Sequence, residues 1–298
     1  MIQGRQSGTQ VHVPVLPTEV IFYLNIITDG IYLDGTVGLG GHASLILDHL
    51  SPKGHFIGTD LDNEALLLCN KRLSGYPTPV SLFHNSYHNF NATLDELGID
   101  QVNGFLLDLG LSSLQMDSHL RGFSYSTDSD LDMRFDSSQE IKASGILNHL
   151  SVNDLANVIF QYGEERRSRA IAKSIVKMRP LTTVFDLVES IRRSTPPNHR
   201  DRTLARVFQA IRIKVNGELG KLENFLSTFR DRLVIGGRVA IISFHSLEDR
   251  LVKHSFKELA KEGVLSILTK KPVIATNEEM AENRRSRSAK LRVAERIS

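Results

Sequence analysis

A chain of 298 residues with 41% hydrophobic and 23% charged side chains has the make-up of a folded globular protein, long enough for one large domain or two. Its single cysteine, Cys69, excludes an internal disulfide and any Cys-x-x-Cys metal site; no His-Glu-x-x-His occurs among the 11 histidines, and no apolar run reaches the length of a membrane span. Residues 1–6 lack the apolar core of a signal peptide, so a cytoplasmic protein is expected, with neither a membrane anchor nor a structural metal.

The net charge of +2 hides a division along the chain: −11 over residues 1–159, +8 over 160–221, +1 over 222–269 and +4 over 270–298. The two basic blocks suit a polyanionic partner, most simply RNA, although arginine-rich helices are also often plain solvated surface.

The first informative stretch is 31–42, Ile-Tyr-Leu-Asp-Gly-Thr-Val-Gly-Leu-Gly-Gly-His, an apolar strand that ends in Asp34 and runs into Gly35, Gly38, Gly40, Gly41 and His42. Residues without a Cβ let a ligand approach the backbone before a helix begins. A carboxylate at Asp34 suits a cationic amine or sulfonium better than a pyrophosphate, which favours S-adenosyl-L-methionine over NAD. A plain tight turn is the competing reading of these residues alone. Strand 55–60 ends on Asp60, about 20 residues past the glycines, where an adenosine ribose needs a carboxylate. Strands 81–84 and 103–108, the latter closing on Asp108, extend the series, with helices near 41–50, 62–73 and 88–97. This alternation predicts an α/β, Rossmann-like parallel sheet with helices on both faces and its ligand at the carboxyl edge.

The alternation stops near residue 113 and resumes at strand 238–244. The interval reads as an inserted, mainly helical substrate-recognition domain, residues 113–217, within a sheet domain made of residues 1–112 and 218–298. A helix over 164–179 aligns Arg166, Arg169, Lys173 and Lys177 on one face. A second over 201–215 sets Arg202, Arg206, Gln209 and Arg212 opposite Leu204, Val207, Phe208, Ile211 and Val215. Two basic ridges with apolar backs predict a groove for a phosphate backbone. Asp128, Asp130 and Asp132 begin like a calcium loop, but Met133 stands where glycine is needed and Gln139 where a bidentate glutamate is needed, so a polar loop held by Arg134 fits better. Ser246 is expected to cap a helix running to about residue 262. Strand-like residues 264–268 and 290–297 then flank a polar stretch carrying Arg284, Arg285 and Arg287.

Taken together these motifs resemble the MraW/RsmH family of bacterial methyltransferases. The resemblance is carried by Asp34-Gly35-Thr36 through Gly40-Gly41-His42, by Leu-Asp-Leu-Gly-Leu-Ser-Ser at 107–113 with Gln115, by Arg121-Gly122-Phe123-Ser124 and by Leu131-Asp132-Met133-Arg134. It continues through Tyr162-Gly163-Glu164-Glu165-Arg166, Phe208-Gln209-Ala210-Ile211-Arg212 and residues 242–250. It implies a class I methyltransferase sheet, S-adenosyl-L-methionine as methyl donor, and as acceptor the exocyclic N4 of a cytidine in the decoding region of 16S ribosomal RNA, with the small ribosomal subunit as its setting. Position by position it implies cofactor contacts at Gly40, Gly41, His42, Asp60, Tyr87, Asp108 and Gln115; Tyr87 stands where the family tends to place Phe.

The chemistry narrows the remaining candidates. The cytosine amino nitrogen is a poor nucleophile, and an acceptor for one of its hydrogens localises the lone pair and stabilises the developing charge. Asp108 is placed for that role or for cofactor binding alone. Ser112, Ser113, Ser243 and His245 are candidates to orient the base, His245 also to take the released proton, with loop capping as their competing role. Methylation at cytosine C5 needs a thiolate nucleophile, whereas Cys69 follows Leu66, Leu67 and Leu68 in a helix and is expected to be buried. The basic residues expected to meet RNA are Arg134, Arg166, Arg169, Lys173, Arg206, Arg212, Arg285 and Arg287. A homodimer is compatible with the sequence, and a nicotinamide-dependent oxidoreductase or a non-catalytic RNA-binding assembly factor stay as alternatives.

Overall fold

A computed structural model of the protein describes residues 13–111 and 121–298. Seven strands form one sheet: β1 (Ile31–Asp34), β2 (His55–Asp60), β3 (Val80–His84), β4 (Val102–Asp108), β5 (Leu233–Ser243), β6 (Leu265–Ile267) and β7 (Lys290–Arg296). Their order across the sheet is β3-β2-β1-β4-β5-β7-β6. The first five run parallel, while β7 is antiparallel to both β5 and β6. Chain order reverses between β1 and β4, so the loops leaving these two strands diverge and open a crevice at their carboxyl ends, the site such sheets offer to ligands.

Period-two alternation distributes the strand side chains between two apolar layers. Tyr32, Phe56, Leu106, Ala240 and Ile242 face a core shared with α1 (Pro17–Leu24), α2 (Gly41–Leu47) and α3 (Asn63–Leu73). Leu33, Ile57, Phe105, Leu107, Val239 and Ile241 face the other, where α4 (Phe90–Glu96) packs. Phe90, Phe105 and Phe225 meet there edge to face at 5.1–5.5 Å. Rings so buried contribute about 1.5–3 kcal/mol each through transfer from water. Cys69 is buried in the first layer, and burial pushes its thiol up to about 12, which leaves it inert.

Between β4 and β5 come α5 (Ala143–His149), α6 (Val152–Gly163), α7 (Ser168–Lys177), α8 (Val184–Ser194) and α9 (Arg200–Asn216), whose apolar faces close round a third core that includes Leu147, Ile159, Ile175, Leu187 and Ile211. Then α10 (Glu218–Thr228) rejoins the sheet through Leu222, Phe225 and Leu226. After β5 lie α11 (Ser246–Lys261) and the short α12 (Asn277–Glu282). No helix among the described residues is long and apolar enough to cross a membrane.

Three local expectations are corrected. The helix expected over 164–179 begins only at Ser168, because Glu164 takes a left-handed φ of 49° and ends α6. The strand expected from 238 starts at Leu233, with a register shift against β4 around Gly236, whose φ is 80°. Ser246 does not cap its helix. His245 does, with Nδ1 accepting from the Glu248 amide at 3.3 Å while Glu248 Oε2 accepts from the His245 amide, a reciprocal capping box.

Candidate active site

The carboxyl ends of β2 and β4 present Asp60 and Asp108 to one cavity of about 330 Å³, and β1 contributes the turn that follows its terminal Asp34. The cavity's first wall is the glycine turn after β1. Thr36 donates from its amide to Asp34 Oδ1 at 3.0 Å, and the Asp108 amide donates to Thr36 Oγ1 at 2.6 Å, so the ends of the two diverging strands are stitched together. The Gly38 amide donates to Asp60 Oδ2 at 2.8 Å. Gly38 and Gly40 both hold left-handed backbone, φ 49° and 77°, which a side chain would strain. Gly35 has no room for a Cβ, because Leu107 and Tyr87 pack against it. Gly41 and His42 open α2, and His42 Nε2 lies 3.8 Å from Asp108 Oδ2.

The acids are held in an unfavourable state. Burial pushes Asp34 up to about 7, with the charges of Asp108 and Asp60 adding to it and the Thr36 hydrogen bonds opposing. Burial likewise raises Asp108 to about 7 against the pull of Arg285, and Asp60 to about 6. Among the described residues, Asp108 Oδ1 is buried without a hydrogen-bond partner. Desolvated carboxyl groups at and just behind the cavity wall lower their free energy when a cation enters, so the cavity suits a ligand carrying positive charge. Tyr87 stands beside the turn, its hydroxyl donating to the Glu218 carbonyl at 3.4 Å, and burial raises it well above the usual phenol range.

The second wall was not foreseen from the sequence. Phe135, Arg212, Asn216, Glu218, Lys221, Phe244, Glu248, Arg284 and Arg285 line it. Gly217, φ 62°, turns the chain between α9 and α10, so Glu218 folds back onto Arg212, which donates from Nε and Nη2 to its two carboxylate oxygens at 2.9 and 2.8 Å. Burial raises Glu218 and Arg212 pulls it down; on the guanidinium, desolvation is the largest single influence and lowers it, but the charge and hydrogen bonds of Glu218 together with the charge of Glu248 raise it overall. Glu218, His245 and Glu248 offer ligand atoms within 4.8 Å of one another, but the Arg212 guanidinium already supplies their positive charge. A sequence signal for this wall existed in the acid directly after a helix-ending glycine, six residues past an arginine.

The expected site residues divide accordingly. Gly35, Gly38, Gly41, His42, Asp60, Tyr87 and Asp108 line the cavity, while Asp34 and Gly40 lie behind its wall and support the turn. Gln115, Ser112 and Ser113 lie outside the described residues. Ser243 and His245 are not among the described residues that line the cavity: Ser243 is sealed within β5, and both nitrogens of His245 face Glu248 at its cap. The structure therefore corrects their assignment to the reacting base.

Among the basic residues, Arg166, Arg169 and Lys173 are exposed on one side of the helical segment. Arg206 is half-buried, 3.5 Å from Glu165. Arg134 is corrected. Its guanidinium is 13% exposed and is consumed inside its own loop by Asp132 and the Ser137 carbonyl, as the polar-loop reading required. Arg212 is corrected too, since it turns into the cavity and not onto an outer ridge. Arg285 lines the cavity, while Arg287 is exposed beside it in sequence.

The helical segment is fastened to this site at several points. Arg121 pairs with Asp62 and donates to the Arg134 and Phe135 carbonyls. Glu164, at the end of α6, accepts from Ser246 Oγ at 2.6 Å and from Arg250 at 2.9 Å.

Comparison with known proteins agrees over the whole length. The model of the MraW methylase family matches residues 9–297. The ribosomal RNA small subunit methyltransferase H of Thermosipho africanus is 50% identical over 290 residues, covering 96% of this chain and 98% of that protein. The proteins of the same name from Kosmotoga olearia and Thermotoga neapolitana are 47% and 48% identical, each covering 97% of its own length and 96% and 97% of this chain.

Proposed function

Because the chain belongs to the MraW methylase family, we propose that it transfers a methyl group from S-adenosyl-L-methionine to the exocyclic N4 of a cytidine in the decoding region of 16S ribosomal RNA, in the cytoplasm and on the small ribosomal subunit. The observation that carries this reading is the convergence of Asp60, Asp108 and the glycine turn after β1 on one cavity at the point where strand order reverses. The names of the relatives support the substrate class.

The cofactor supplies an activated methyl group whose transfer discharges a sulfonium, so the protein's task is to orient and to stabilise charge. In this reading Asp60, braced by Gly38, receives the ribose hydroxyls, and the glycine turn, held by Asp34 from behind, receives the cationic end. Asp108 has its free Oδ1 for an N4 hydrogen of the cytosine, which localises the lone pair that attacks. Residues 113–217 serve as the substrate-recognition domain, with Arg166, Arg169 and Lys173 on the phosphate backbone, and residues 1–112 with 218–298 serve as the methyltransferase domain.

The test is incubation of labelled cofactor with small subunits from cells lacking the gene, followed by mass spectrometry of the digested nucleosides. N4-methylcytidine is the expected product. Ribose methylation, or no incorporation, overturns the proposal.

A further inference from the structure

The second wall of the cavity carries a charge pair that cofactor binding does not explain. Arg212 and Glu218 are both directed into the cavity from the α9–α10 corner, opposite the glycine turn. Glu218 fixes the guanidinium through Nε and Nη2 and so sets its plane. Nη1 makes no hydrogen bond among the described residues, and its two N–H groups remain for a ligand. Nearby, Asn216 is fully used, with Oδ1 accepting from the Phe135 amide at 2.8 Å and Nδ2 donating to the Met133 and Arg212 carbonyls, so it locks the corner and reads nothing. The same contact holds Phe135 at the cavity, with its ring stacked on Phe123 at 5.7 Å behind it.

Resting on the proposed methylation of cytosine, we propose that Arg212, oriented by Glu218, is the residue that reads the target base, donating from Nη1 to cytosine O2 and N3 while an aromatic wall at Phe135 takes the base face. An amino group next to a ring-nitrogen acceptor does not by itself identify cytosine, because adenine presents the same pair on its Watson–Crick edge. Adenine has no counterpart of O2, and uracil places an N–H where cytosine has the N3 lone pair. A rigid donor aimed at O2 and N3 therefore rejects both, and Asp108 is left to engage the N4 hydrogen. Glu218 is a positioning residue, acting through Arg212. Reading a base by its pairing edge with stacking on its face is how enzymes that modify bases outside a helix select them.

The experiment uses the full chain with small subunits from cells lacking the gene, and the paired substitution Arg212→Gln with Glu218→Gln, which keeps side-chain length and hydrogen bonding while removing both charges together. Single Arg212→Lys serves as the second variant, since it keeps the charge and loses the planar fork. The expected result is an unchanged cofactor Kd and melting temperature, with KM for the subunit raised about 10- to 100-fold. Subunits carrying adenine in place of the target cytosine, silent with the wild-type protein, gain detectable N6-methyladenosine with the paired variant. Unchanged KM together with undiminished rejection of adenine overturns the inference. Failure of the wild-type protein to form N4-methylcytidine overturns the underlying function instead, so the two failures are separate. Should the paired variant not fold, Arg212→Lys with normal cofactor binding and unaltered KM also counts against it.

Discussion

Gly38 donates its amide to Asp60 Oδ2 at 2.8 Å, which ties the turn after β1 to the acid that ends β2. The same carboxylate accepts from the Asp62 amide through Oδ1 at 2.9 Å, so it braces the turn and the start of α3 together while lining the cavity.

From this follows a graded effect of substitution at Asp60. Asp60→Ala removes charged hydrogen bonds to ligand and loop together and is expected to weaken S-adenosyl-L-methionine binding by about 1.5–3 kcal/mol. Asp60→Asn, which keeps an acceptor for the Gly38 amide, loses less. Calorimetric titration measures both, and equal affinity in all three proteins removes Asp60 from the site.

The raised acids make the free protein pH-sensitive in a defined direction. Asp34 and Asp108 titrate at about 7 and Asp60 at about 6 in the fold, against 3.8 for the ordinary group. The native state thus binds more protons than the unfolded one between these limits. The contribution of the three acids to stability is fully present below pH 3.8 and is lost as pH rises through 6 to 7. A cationic ligand reverses this by favouring the ionised forms, so cofactor binding near pH 6 should release protons. Titration in buffers of different ionisation enthalpy detects them, and a heat independent of buffer contradicts the electrostatic account.

Exposed cations on the helical segment predict a salt signature. Replacing Arg166, Arg169 and Lys173 by Ala should lower the slope of log affinity against log salt for RNA by roughly 2, counting three phosphate contacts on single-stranded regions. Cofactor affinity should not move. A slope that stays the same would leave these residues as solvated surface.

Packing between α6 and α9 predicts a glycine requirement. A methyl group at Gly163 would lie 2.6 Å from the Arg206 carbonyl oxygen, a backbone atom that cannot step aside. Gly163→Ala is expected to cost about 1–3 kcal/mol through overpacking. Gly145, inside α5 with open space around it, is the contrast: Gly145→Ala should stabilise by about 0.4–1 kcal/mol. Thermal melts of the two variants should move in opposite directions.

The first four strands, and the acids that end β1, β2 and β4, were legible because two apolar layers impose a period of two and these acids sit where the pattern breaks. Local rules failed where a distant partner decides. A helical wheel places Arg212 on a polar face, yet only the return of the chain at Gly217 shows that this face looks inward at Glu218. By residue type Ser246 is the better cap, but the reach of Glu248 back to the His245 amide sets the helix start one residue earlier. Ser243 and His245 fall at the correct sheet edge and yet are not among the described residues that line the cavity, since Ser243 is buried in β5 and the Nδ1 of His245 serves a capping box. Even α1 was missed, being only 8 residues long and flanked by left-handed Leu16 and Asn25.

The position of β7 between β5 and β6 sets an order of events during synthesis. β6 emerges first but finds no neighbour in the sheet until β7 follows and pairs with both. Arg284 and Arg285, part of the cavity wall, precede β7 by only a few residues. A chain lacking this segment has an unsealed sheet edge and an incomplete pocket, so sheet closure and pocket assembly depend on the same residues, 284–296.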